Sequence, residues 1–132
     1  MSGDVEDATH RRTFRFYRAP GADRVVAREE FDELETHGRA ALAEAIARFR
    51  RYEELPGEVK KLKGKEGKAG LWEIRVKVGN DPFRALFFYD TDIIVVCLTV
   101  FYKNQQETPK QDLKRALGRK RAWEDEGKRR ES

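Results

Sequence analysis

LWEIRVKV (Leu71 to Val78), FRALFFY (Phe83 to Tyr89) and IIVVCLTVFYK (Ile93 to Lys103) are three consecutive runs, and how they are read decides the fold. The first alternates, with Trp72, Ile74, Val76 and Val78 on one side and Glu73, Arg75 and Lys77 on the other. That is the period-two pattern of a strand with one face on a core and the other on water or a ligand. The third run is apolar at both parities and rich in β-branched residues, which suits a central strand. Gly79-Asn80-Asp81-Pro82 and Asp90-Thr91-Asp92 separate the runs with turn-forming residues, glycine for positive φ and Asn or Asp for local side-chain bonding. Connections this short imply an antiparallel meander.

Working outward, Phe14, Phe16 and Tyr17 make Thr13 to Arg18 a candidate fourth strand, ended by Ala19-Pro20-Gly21-Ala22-Asp23. From Val26 the pattern turns helical, with Phe31 and Leu34 among acids, and His37-Gly38 is read as its close. A second helix is predicted from about Arg39 to Tyr52, its stripe of Leu42, Ile46, Phe49 and Tyr52 covering the Trp72/Ile74/Val76 face until Pro56-Gly57 stops it. Glu58 to Lys65 reads as a basic approach loop. Downstream, Thr108-Pro109-Lys110-Gln111 combines a capping threonine, a proline at the first helical position and a glutamine three residues after the cap. The last helix then carries Leu113, Ala116, Leu117 and Trp123. The predicted class is α+β: a small twisted, mainly antiparallel sheet with two helices before the meander and one C-terminal helix. Residues 1–12 are expected to be a disordered acidic tail, 13–126 a single domain and 127–132 a disordered tail.

At 132 residues, 39% hydrophobic and 39% charged, the chain suits one domain with an economical core. The net charge of +4 favours polyanionic partners, and its distribution sharpens that, since Lys60, Lys61, Lys63, Lys65 and Lys68 crowd one loop. Cys97 is the single cysteine and lies in the apolar third run, so it reads as a buried inert thiol with no intramolecular disulfide. No apolar run approaches the roughly 20 residues that span a bilayer, and the acidic N-terminus is unlike a secretory leader. A soluble, cytoplasmic protein without membrane contact is expected.

Several of these residues together resemble a known family. Lys61-Leu62-Lys63-Gly64, then Leu71-Trp72-Glu73-Ile74-Arg75, then Phe83-Arg84, then Phe101-Tyr102-Lys103 with Gln106-Glu107-Thr108-Pro109 and Ala116, stand in the order found in RelE-type toxins of bacterial toxin–antitoxin pairs. The chain resembles most the HigB-like, phage-associated branch, from about Phe31 to Arg119. The resemblance implies a RelE-like fold and a metal-independent endoribonuclease that cleaves messenger RNA, usually on the ribosome, without a cofactor. It also implies a cognate antitoxin, expected to be a small helix-turn-helix protein. The family often has a second basic residue where Asn104 stands, some branches use a histidine near the end of the last strand, and others act on DNA gyrase. This chain has no histidine after His37.

RNA cleavage by attack of the 2′-hydroxyl needs in-line positioning, charge stabilisation at phosphorus and proton transfer at two oxygens. Arginine and lysine supply most of that. Arg75 and Lys77 share a parity with Glu73, and a two- or four-residue hairpin brings Arg84 to the same face. Arg84, Lys103, Arg75 and Glu73 are therefore the candidate catalytic residues: the cations for the phosphate, Glu73 as base or as an ion-pair partner. Whether Lys103 joins them depends on the second turn, whose length the sequence leaves open. Lys63, Lys65 and Lys77 are candidate RNA-backbone contacts and Tyr102 a candidate stacking platform. No Cys or His spacing suggests a metal, and no glycine-rich loop suggests a nucleotide. A non-catalytic, phage-derived nucleic-acid-binding protein and a gyrase-directed toxin are the alternative readings.

Overall fold

The three runs pair as a meander, and a strand is added at each edge. The structure, a computed structural model, describes residues 11–102 and 110–131. Its elements are β1 (Thr13–Phe16), α1 (Val26–Asp32), α2 (Thr36–Arg50), β2 (Val59–Lys61), α3 (Gly64–Lys68), β3 (Trp72–Val78), β4 (Asp81–Tyr89), β5 (Ile94–Tyr102) and α4 (Lys110–Glu131). The sheet order is β1-β5-β4-β3-β2, antiparallel throughout except that β1 runs parallel to β5. The class is α+β, compatible with a RelE-like fold.

Both faces of the sheet are covered, which is why β4 and β5 are apolar at both parities. On the first face Leu42, Ala45, Ile46 and Phe49 of α2 pack against Ile74, Ala85 and Phe87. On the second, Leu113, Ala116, Leu117 and Trp123 of α4 pack against Leu71, Leu86, Phe88, Val96 and Leu98. Helix α1 serves both, through Phe31 in the first cluster and Ala27 in the second. Gly38 lets α2 approach closely, since a Cβ there would run into the Phe83 ring. In β5, Leu86 pairs with Thr99 but Phe87 with Cys97, so Leu98 is an extra residue, a bulge that bends the strand. The freed Val100 amide and the Thr99 hydroxyl both donate to Glu30 of α1.

Local expectations are corrected at five points. His37-Gly38 opens α2 rather than closing α1, because Glu35 caps the helix by accepting from both amides. Helix α2 stops at Arg50, with Tyr52 at φ 62°, before Pro56-Gly57 is reached. The approach loop contains β2, paired with β3, and the short α3. Arg12, read as tail, bonds the Phe49 carbonyl through Nη1 at 2.6 Å and lies over the Phe49 and Tyr52 rings. Helix α4 continues past Gly127 to Glu131. The acidic stretch 1–10, Lys103 and the Thr108-Pro109 start signal lie outside the described residues.

Candidate nucleic-acid interface

The hairpin between β3 and β4 has two loop residues, Gly79 at φ 63° and Asn80, which suits the right-handed strand twist. An even loop keeps parity, so Arg84 stands directly opposite Arg75 and Lys77 opposite Pro82. Across the other edge of β3, Lys60 of β2 stands opposite Glu73. Lys60, Glu73, Arg75, Lys77 and Arg84 thus share the second face of the sheet.

Their depths differ. Glu73 is 1% exposed and Arg84 8%, whereas the Arg75 side chain is 40% exposed and Lys60 and Lys77 lie open to solvent. Arg84 Nη1 donates to Glu73 Oε2 at 3.4 Å, and Arg75 Nη1 stands 3.9 Å from Glu73 Oε1. The pair sits among Leu86 and Phe101, in surroundings where charge interactions are stronger than in water. Arg75 is held by its backbone as well, its amide donating to the Glu58 carbonyl at 2.8 Å. Glu58 is in turn clamped by Arg48 of α2 and by the Leu55 amide. Burial pushes the Glu58 carboxyl up, but those two partners outweigh it and hold it below the usual carboxylate range. The chain beneath Arg75 is therefore tied to α2.

The other candidates lie elsewhere. Tyr102 is on the first face, opposite Phe83 with its ring edge-on to it, and its hydroxyl donates to Asp81 Oδ1 at 3.0 Å. That bond, with some burial and the Asp81 charge, raises the phenol above its ordinary value and keeps it protonated. Lys63 precedes α3 and Lys65 lies in it, both exposed at the Leu71 end of β3. Lys61, before them, pairs with Trp72, which is five residues or roughly 17 Å along the strand from Lys77. His37 is exposed on α2, its Nδ1 2.8 Å from Glu35 Oε1, on the side of the sheet away from Arg84. Lys60 was not singled out from its neighbours by sequence because its parity exists only once β2 is paired.

Among the described residues no group of three or more His, Cys, Asp and Glu side chains is gathered to hold a metal ion, and no helix is long and apolar enough to cross a membrane. A family model described as "Phage derived protein Gp49-like (DUF891)" matches residues 29–121. Two relatives from Mycobacterium tuberculosis, strains CDC 1551 / Oshkosh and ATCC 25618 / H37Rv, each named "Probable endoribonuclease HigB1", are 38% identical over 111 residues, 84% of this chain and 84% of theirs. The family match takes in α2, the whole β2–β5 sheet and the charged face it carries, and with those relatives it identifies the chain as a member of the phage-derived Gp49-like family, on the HigB-like branch of the RelE-type toxins.

Proposed function

We propose that this chain is the toxin of a toxin–antitoxin pair and cuts messenger RNA as a metal-independent endoribonuclease. The observation that carries the reading is the 38% identity, over 84% of both chains, to relatives named as endoribonucleases. The cation-rich second face supports it. In the reaction the 2′-oxygen attacks the adjacent phosphorus and the bond to the 5′-oxygen breaks. One proton leaves the 2′-hydroxyl and one is delivered to the departing oxygen. Arg75, half exposed, and Arg84 beside it stabilise the charge that builds on the phosphate, as preorganised donors do. Lys103 adds a further cation and Lys63, Lys65 and Lys77 hold flanking backbone, while Tyr102, on the opposite face of the sheet with its hydroxyl on Asp81, stands apart from this cluster.

Glu73 is better suited to aiming the two arginines than to removing a proton. At 1% exposure, between two guanidinium groups, it is shielded from a ribose hydroxyl. Cleavage on the ribosome, a small helix-turn-helix antitoxin and a cytoplasmic location belong to the same proposal. A second reading, a non-catalytic nucleic-acid binder, draws on His37 lying across the sheet from the arginines, which leaves no imidazole beside them among the described residues.

The deciding experiment incubates purified protein with one messenger RNA, free and under translation, and maps the new ends. Cuts in translated RNA alone support a ribosome-dependent toxin, and cuts in both support a free ribonuclease. No cuts, with RNA still bound, would promote the binder; no cuts and inhibited DNA supercoiling would promote a gyrase-directed toxin.

A further inference from the structure

Among the five loop lysines, sequence offers no way to tell which faces the substrate. The pairing of β2 does. Val59, Lys60 and Lys61 stand opposite Ile74, Glu73 and Trp72, so Lys60 and Lys61, adjacent and both exposed, lie on opposite faces of the sheet. Lys60 takes the face of Arg75, Lys77 and Arg84, and Lys61 takes the face of Trp72.

Seen from that face, three solvent-reaching cations follow the outer edge of β3. Lys60 is the diagonal neighbour of Arg75, about 7 to 8 Å away between backbones, and Lys77 is two strand residues farther on, about 7 Å. This near-even spacing is of the order of that between successive phosphates of an extended single strand. Neither Lys60 nor Lys77 forms an ion pair within the described residues, and the one carboxylate in the row, Glu73, is sunk beneath it at 1% exposure. Beside the row, Glu44 and Glu58 of the adjoining hollow are the nearby acids, and Glu58 is already held by Arg48, so positive charge predominates along it.

We infer that the edge of β3 is a track for three consecutive phosphates of single-stranded RNA, with Lys60 holding the phosphate on one side of the Arg75 position and Lys77 the one on the other. The inference rests on the ribonuclease reading, since it takes the phosphate at Arg75 and Arg84 as the one that reacts. It adds the path of the strand along β3 and a contact residue, Lys60. It also separates Lys60 from Lys61, which faces the other way and touches no RNA.

The test uses a single-stranded oligonucleotide with 2′-O-methyl riboses, which cannot supply the nucleophile and so reports binding alone. Affinity is measured against salt for the parent, Lys60→Gln, Lys60→Arg and Lys61→Gln. Each phosphate contact contributes about 0.7 to the slope of log affinity on log salt for a single strand. The expected result is a slope shallower by about 0.7 in Lys60→Gln, restored in Lys60→Arg and unchanged in Lys61→Gln, at equal melting temperatures. On cleavable RNA, Lys60→Gln should raise KM several-fold with kcat retained. Equal slopes for Lys60→Gln and Lys61→Gln, or no binding by the parent at low salt, would overturn the track. A parent that binds with the Lys60-dependent slope yet cuts no RNA keeps the track and removes the ribonuclease reading; one that cuts RNA with equal slopes in both variants does the reverse.

Discussion

Two glutamates, Glu30 and Glu73, anchor separate charge networks near the Thr99–Phe101 stretch of β5, and they are held very differently. Glu30 of α1 accepts the Thr99 hydroxyl at 2.8 Å and the Val100 amide at 3.1 Å, and meets Arg119 of α4 at 2.9 Å. Arg119 also donates to the Leu98 carbonyl at 2.8 Å and lies over the Tyr17 ring. Helix α1, the β5 bulge and α4 are joined at short distances. Glu73 is buried more deeply, with 2% of its side chain exposed against 23% for Glu30, yet its two arginine contacts are 3.4 and 3.9 Å. Those are long for charge-assisted bonds, which favour about 2.7 to 2.9 Å. The closely satisfied network is a fastener. The looser one sets two cations around Glu73 at longer distances, on the face where a phosphate is proposed to arrive.

Removing an arginine from each network should therefore lower stability in both and cleavage in only one. Arg84→Ala is expected to cost the most: about 10²- to 10³-fold in RNA cleavage as a lost transition-state donor, and about 3 kcal/mol of stability because the buried Glu73 keeps only the longer Arg75 contact. Replacing both, as Glu73→Leu with Arg84→Leu, should recover much of the stability and none of the activity. Denaturant unfolding and a cleavage assay on the same samples check this, and a double variant that still cuts RNA would remove Arg84 from the mechanism.

Arg119→Ala breaks the fastener. A loss of about 1.5 to 3 kcal/mol is expected from its charged hydrogen bonds, with cleavage per folded molecule unchanged. If cleavage instead falls as it does for Arg84→Ala, the separation of the two networks is wrong.

Acid sharpens the contrast through Glu58, which supports the Arg75 backbone. Its carboxyl is held below the usual range in the fold, so the unfolded chain binds the proton more readily. That stability is present above the unfolded carboxyl's own pKa and lost as pH falls through the depressed folded one. Glu58→Gln should have a shallower acid limb in melting temperature against pH, and a limb as steep as the parent's would count against the clamp.

The smallest effect expected is on Cys97. Burial first, then the Glu30 charge, pushes its thiol well above the ordinary range, so an alkylating reagent should label it only as the protein opens. Labelling faster in Arg119→Ala than in Arg75→Ala would place the weaker point where the fastener was cut; equal rates would mean that opening at Cys97 is independent of it.

The meander, its central third strand, the helix stripe of Leu42, Ile46 and Phe49, and the inertness of Cys97 were legible in sequence. Each depends on local periodicity and turn chemistry, which are properties of neighbouring residues. The parity argument that joined Arg84 to Arg75 was legible too, because Gly79-Asn80 is a strong two-residue turn. The order of residues around Lys61, Trp72, Phe83 and Tyr102 was also enough to suggest the family.

Other features came only from tertiary structure, for reasons that are physical. β2 is three residues long and becomes a strand by pairing with β3, so nothing in Val59-Lys60-Lys61 alone could assign a face to Lys60. The parallel pairing of β1 is a long-range choice, made where Thr13 meets Ile94. The bulge at Leu98 reset the register of β5, placing Phe101 opposite Arg84 and sending Tyr102 to the face of Phe83, away from the arginines. A one-residue slip moves a side chain to the other side of a sheet, and no local preference reports it. Burial depth was equally hidden: Glu73 and Arg75 are alternating charges of one strand, and packing alone made the first a buried support and the second a hand held out to solvent.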